Sequence, residues 1–350
     1  MVRNAVLGTL LAALAVAPAL GDRGQGETRE HRTWSYRTPA KELRPVVRDG
    51  LWGYVDQSGT LVIRPKFQAT EPFCDGLAAV KLAGAWGYVE PSGRLVIRAQ
   101  FDGAGAFHDG LARVYKREFL SRKYGFVNAD GRLVIPYQYR DAGDFSEGLA
   151  RVESRGRWGY IDKDNKLVIA AQFNAAGNFC EGLAWVKTGG FWRGKYGFID
   201  TSGNITINPR FTRVGSFSQG LAPVELNGKW GYVNTDGDMV VQPQFQFAGL
   251  FSDNYACVKV GGDYGYIDRS GRLVIPAMFE DARDFHDGLA AVREHGKWGY
   301  IDPRANFVIA ARFNVAGDFE HGAAEVRVGL FNARLGWIDT DGRYLWQPAA

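Results

Sequence analysis

The side chains able to do chemistry are sparse. Among 350 residues there are five histidines and three cysteines. His108 and His286 stand in a recurring Phe-x-acid-Gly segment, at the place that Cys74 and Cys180 fill in other copies. His321 replaces the acid of that segment, His295 sits in a glycine turn, and His31 lies outside the pattern. A metal site draws its ligands at short, regular spacings, and none of these residues has them. The chain carries no HExxH, CxxC, P-loop or GxSxG sequence. Gly103 and Gly105 lack the strand-to-helix context of a phosphate loop. No metal, no cofactor and no catalytic residue is expected, and an envelope hydrolase is the least favoured reading.

Carboxylates recur more regularly, at Asp56, Asp162, Asp200, Asp268, Asp302 and Asp339. Calcium requires several oxygens around one point, and one carboxylate per turn falls short. A lone turn carboxylate can instead accept backbone N–H groups. Three residues after these acids come Gly59, Asn165, Gly203, Gly271 and Gly342, the residues that tolerate positive φ. Ala305 interrupts the column, and Asn306 is the expected substitute.

The elements that hold these turns repeat along the chain. Aromatic-Gly pairs begin at Trp52, Trp86, Tyr124, Trp158, Tyr196, Trp230, Tyr264 and Trp298, and Leu335-Gly336 is a degenerate last copy. Successive glycines lie 34 residues apart, or 37 to 38 in three places. Each pair opens a strand such as Trp52-Gly53-Tyr54-Val55, which the Asp-x-x-Gly turn joins to a Leu61-Val62-Ile63 type strand. Prolines such as Pro65, Pro209 and Pro243 place that second strand at an edge, because proline cannot donate to a ladder. A Leu-Ala-x-Val segment then forms a strand that pairs with the next Trp-Gly, as Asn227-Gly228, a strong two-residue hairpin signal, makes explicit. The unit is a three-stranded antiparallel meander. Leu43-Arg44-Pro45-Val46 aligns with Leu221-Ala222-Pro223-Val224 and opens the first copy, and Tyr344-Leu345-Trp346 closes the last.

Lys229-Trp230-Gly231-Tyr232-Val233 and Lys297-Trp298-Gly299-Tyr300-Ile301-Asp302, with the Leu/Val-Ile-Pro-Phe and Phe-x-Glu-Gly-Leu-Ala segments around them, resemble the WG repeat of bacterial proteins. The resemblance runs over residues 43–348. It implies a β-strand repeat without a general catalytic role.

Short meanders cannot fold alone, so the units must stack, with the Trp, Phe, Leu and Val columns as the core between them. The expected fold is all-β, a tandem array of nine three-stranded units in an open, curved arrangement. A closed β-propeller is the alternative, disfavoured because propeller blades usually have four strands and whole units at both ends leave no blade to share.

Residues 1–21 read as a signal peptide: Arg3 precedes an apolar run from Ala5 to Ala17 and small residues follow. Residues 22–42 read as a linker and 43–348 as the array. Export to the periplasm, cell envelope or exterior follows, with no membrane span after cleavage. Three cysteines cannot all pair, and equivalent positions several units apart, as for Cys74 and Cys180, are too distant to bridge. The net charge is +4, from 42 basic and 38 acidic residues without a long like-charge block, which gives no electrostatic case for nucleic acid.

Function is sought where units break their own rule. Three hairpins are longer than the rest and carry apolar and cationic residues: Arg117, Phe119, Leu120 and Arg122; Phe191, Trp192 and Arg193; Leu330, Phe331 and Arg334. Insertions in repeats map to one face, and aromatic and Arg residues anchor interfaces. These tips are the expected partner-binding residues of a non-catalytic scaffold whose partner is a protein. A glycan-binding module using exposed aromatics is the alternative.

Overall fold

A computed structural model describes residues 42–119, 121–190, 193–329 and 334–347. The expected leader 1–21, the expected linker up to residue 41, and Leu120, Phe191, Trp192, Leu330 and Phe331 lie outside the described residues.

The described residues form nine small antiparallel sheets in chain order, here blades 1 to 9. Blade 4 is representative: its strands are Asp141–Ala142, Ala150–Ser154, Arg157–Ile161 and Leu167–Phe173, hydrogen-bonded in that order. Eight blades have four strands, so the three-stranded expectation is corrected. The missing element is the innermost strand, drawn from the stretch before each Phe-x-acid-Gly turn. In blade 1 the described strands are Arg44–Arg48, Leu51–Val55 and Leu61–Phe67, equivalent to the second, third and fourth strands elsewhere.

The turns follow the expected chemistry. Gly59 N donates to Asp56 O at 2.9 Å and Asp56 N to Thr60 O at 2.9 Å. The Asp56 carboxylate accepts from the N–H groups of Ser58 and Thr60, both at 3.0 Å. Ala305 itself adopts the positive φ of the column, at 64°, rather than passing it to Asn306. Between the second and third strands, Asn227 (φ 52°) and Gly228 (φ 77°) form the two-residue turn with both angles positive.

The Gly of each aromatic-Gly pair is required by close approach. In blade 4, Trp158 pairs with Phe173 but Tyr160 pairs with Ile169, so the fourth strand carries a bulge opposite Gly159. A Cβ on Gly159 would lie 2.5 Å from the Ile169 carbonyl oxygen. Pro65, Pro209 and Pro243 fall in the same bulge on the outermost strand, the edge position expected of them.

The core sits between blades, but the Trp column does not fill it. Trp158 is half-buried, whereas Tyr160, two residues on, is fully buried. Its ring lies 4.8 Å from Phe179 of blade 5 and its hydroxyl donates to Gly177 O at 2.7 Å. The same clasp crosses from Tyr54, Tyr88, Tyr232, Tyr266 and Tyr300 to the next blade's first strand at 2.7 to 2.9 Å. Phe126 and Phe198 lack the hydroxyl. Eight apolar clusters result, each joining one blade to the next along the chain.

The ninth seam closes the ring, which overturns the open array. Trp337, at the place of the clasp tyrosines in blade 9, donates its indole N–H to Pro45 O of blade 1 at 2.8 Å. Arg44 stands where every other blade has Ala (Ala78, Ala150 and Ala222 among them). It is 7% exposed, lies 5.8 Å over the Trp337 ring and donates to His321 O at 2.9 Å. His321 also contacts Glu42 at 3.4 Å. Among the described residues no blade is shared between the chain ends. Side chains make the joint, beside a close main-chain approach of Gly59 to Leu345.

Candidate interaction face

A meander fixes which ends of the strands share a face. The turns from first to second strand and from third to fourth lie on one face of the ring. The second-to-third hairpins and the crossovers between blades lie on the other.

The first face is tied around the ring. Asp75, Asp109, Glu147, Glu181, Asp253 and Asp287 each accept the backbone N–H of the equivalent Gly in the next blade, at 2.7 to 3.1 Å. These carboxylates are occupied by the fold. Cys74, Cys180 and Cys257 are unpaired thiols, and burial pushes each above its ordinary pKa. Among the described residues no three His, Cys, Asp or Glu side chains come together in a way that could hold a metal ion.

The inner wall is built from the first strands, where Gly105, Gly143 and Gly249 admit a side chain of the next blade. A Cβ on Gly249 would lie 2.5 Å from Asp284 Oδ1. Burial, with the neighbouring charge of Asp318 adding to it, raises the Asp284 pKa to about 6 against the pull of the Cys257 and Leu250 backbone N–H groups. Asp144 pairs with Arg113 at 3.2 Å and Asp318 with Arg283 at 3.8 Å. This wall is mixed in charge and internally paired.

The hairpin face carries the sequence-expected tips. In blade 3 the hairpin extends the ladder by two pairs, Arg117 with Arg122 and Glu118 with Ser121. Arg117 N is held by Asp102 Oδ2 at 2.8 Å, and the Arg122 guanidinium lies 5.0 Å over Tyr115. Phe119 is 101% exposed at the apex, so no other described residue covers it. In blade 5, Gly194 N bonds to Gly190 O at 2.8 Å and Arg193 is exposed. In blade 9, Arg334 is exposed and Gly329 N bonds to Asn314 Oδ1 at 2.9 Å.

The topology therefore puts all three hairpins on one face but does not gather them. Blades 3 and 5 flank blade 4, whereas blade 9 stands at least three blades from either. Two exposed residues between the first pair, Arg155 and Arg157 on the blade 4 hairpin, were missed. Their signal, Arg155-Gly156-Arg157 in a turn, was readable, but nothing in the sequence showed that this short hairpin sits between the two long ones.

Nine radially arranged antiparallel units, eight of them four-stranded, with a closing seam define a β-propeller. Matches to a WG containing repeat cover residues 52–84, 86–118, 124–158, 158–192, 196–230, 230–262, 264–298 and 298–329. The chain belongs to that family. A comparison with curated proteins gives no match. Among solved structures, the chain is similar to a eukaryotic initiation factor at 12% identity and a TM-score of 0.62, over 88% of this chain and 95% of that one. It is also similar to Porphyromonas gingivalis dipeptidyl peptidase 4 at 9% identity and a TM-score of 0.52, over 79% of this chain and 59% of that one. At such identities the likeness extends to the fold alone.

Proposed function

We propose that this propeller is a non-catalytic interaction scaffold, exported to the cell envelope or beyond, that docks a protein partner on its hairpin face. The observation that carries the reading is Phe119. A phenyl ring exposed at 101%, between Arg117 and Arg122, sits on a hairpin extended beyond the length of its neighbours. An exposed aromatic flanked by arginines is the composition of an interface anchor. The Trp column supports a protein partner over a glycan. Trp158, Trp230 and Trp298 are half-buried and have Arg151, Arg213 and Arg283 over their rings at 4.9, 5.4 and 5.8 Å, so those faces are not open stacking platforms.

The test compares capture from an envelope extract by the unaltered chain and by Phe119→Ser with Arg117→Ser. Loss of the captured protein with an unchanged melting temperature supports the reading, since exposed substitutions are near-neutral for stability. Unaltered capture removes the hairpin face as the site.

A further inference from the structure

The near-neutral total charge conceals a local concentration. From the residue four beyond the first position of the Leu-Ala-x-Val segment or its equivalent to the one before the aromatic-Gly pair, the hairpins of blades 3, 4 and 5 carry nine basic and two acidic side chains. The same windows in the other six blades carry eight basic and four acidic side chains. Three adjacent blades thus gather a cationic arc on one face.

The arc has relief. Ser154 with Arg157 is the last pair of the blade 4 hairpin, and its register equivalent in blade 3 is Lys116 with Lys123. Blade 3 continues for two more pairs, which raises its tip by about 7 Å at 3.4 Å per residue. In blade 5 six residues separate the equivalent pair, Thr188 and Lys195, and Arg193 among them is exposed. Blade 4 is therefore a low floor beside the taller wall of blade 3. Arg155 and Arg157 are exposed on the floor, and Arg117 and Arg122 on the wall.

We infer that this step, from the blade 3 wall to the blade 4 floor, docks an extended acidic segment of the protein partner. The inference rests on the reading of the hairpin face as a protein-docking surface and names the chemistry that face recognises. The exposed cations here are mainly arginine, whose planar fork donates two hydrogen bonds at a time to a carboxylate, and Tyr115 holds one of them by stacking. A narrow chain lies along the floor against the wall. A bilayer needs tips at one level instead, and a floor about 7 Å below the blade 3 tip prevents that.

The experiment titrates the full chain into a fluorescein-labelled oligo-glutamate peptide and follows anisotropy, with Arg155→Asn and Arg157→Gln combined as the test variant. Asn at 155 keeps the turn, because Asn227-Gly228 forms the same turn in blade 6. The control is Lys229→Gln with Lys297→Gln, which sit at the register position of Arg157 in blades 6 and 8. The expected result is a Kd raised about tenfold or more by the test variant and less than about twofold by the control, with binding weakening as salt rises. Equal losses in both variants overturn this docking site. So does tighter, Arg155-dependent binding of phosphatidylglycerol vesicles or of a single-stranded oligonucleotide. If oligo-glutamate does not bind while Phe119→Ser with Arg117→Ser still abolishes envelope capture, the docking face stands and its acidic partner does not. If both fail, the face itself is wrong.

Discussion

The indole N–H of Trp337 donates to the main-chain carbonyl of Pro45 across 2.8 Å, joining residues 292 apart in sequence. In blades 2 and 6 the equivalent carbonyls, Ala79 O and Pro223 O, accept from the backbone of the blade's own first strand, Glu71 N and Gly215 N at 2.9 and 2.8 Å. Trp337 thus supplies a donor that blade 1 does not draw from a described strand. Proline at 45 has no N–H of its own to leave unmatched there.

Trp337→Phe keeps an aromatic ring over Arg44 but removes the donor together with the pyrrole half of the indole. It is expected to cost about 1–2 kcal/mol, the penalty of a buried carbonyl without a partner, read as a shift of the urea midpoint. Arg44→Ala is expected to cost more, because it also vacates the volume beneath the Trp337 ring. A loss confined to Arg44→Ala would mean the indole bond contributes nothing.

The tyrosine clasps predict opposite effects from one pair of changes. Tyr232→Phe is expected to lower stability by about 1 kcal/mol through loss of the bond to Gly249 O. Phe126→Tyr places a hydroxyl toward the equivalent Gly143 carbonyl and is expected to raise stability by a similar amount. Matched chemical denaturation of the two variants checks the signs.

Glycines of two kinds separate under alanine substitution. At Gly159 a Cβ meets the Ile169 carbonyl at 2.5 Å, and the blade must distort, so a loss of about 3 kcal/mol or more is expected. At Gly156, φ is +78° with nothing within 4 Å, and only the backbone preference opposes alanine, at about 1 kcal/mol. Thermal melts of the two variants should differ accordingly.

Asp284 titrates near 6 in the folded chain against an ordinary 3.8. The folded state therefore holds this proton more tightly, and the group's contribution to stability falls as pH rises from about 4 to about 6, then levels. Asp284→Asn removes the penalty. A gain of about 1–2 kcal/mol is expected at pH 7, with none near pH 3.5. A gain of equal size at both values would show that charge is not the cause.

Much of this architecture was legible. The Asp56-to-Gly59 turn, the Asn227-Gly228 hairpin and the edge prolines all follow from local backbone chemistry, which sequence records directly. The first strand was not legible because segments such as Ala175–Ala176 are two residues long and run into glycine, giving no alternation to read. Closure was hidden for another reason: it depends on Arg44 in an alanine column and on Trp337 in a tyrosine column, departures whose meaning appears only when the two ends meet. The Trp column misled because conspicuous residues were taken for the buried ones, while Tyr160 and its equivalents carry the packing. The tip residues could be named, but not the neighbourhood that makes Arg155 and Arg157 their floor.

Phe126 and Phe198, the two blades' departures from tyrosine, leave the seams between blades 3 and 4 and between blades 5 and 6 without a hydroxyl bolt, while Tyr160 keeps blades 4 and 5 fastened together. Charged side chains cross both seams: Arg113 reaches Ala142 O and pairs with Asp144 at the first, and Glu181 accepts from Gly220 N at 2.8 Å at the second. These two junctions therefore lean on ionic fasteners where their neighbours also have a neutral one.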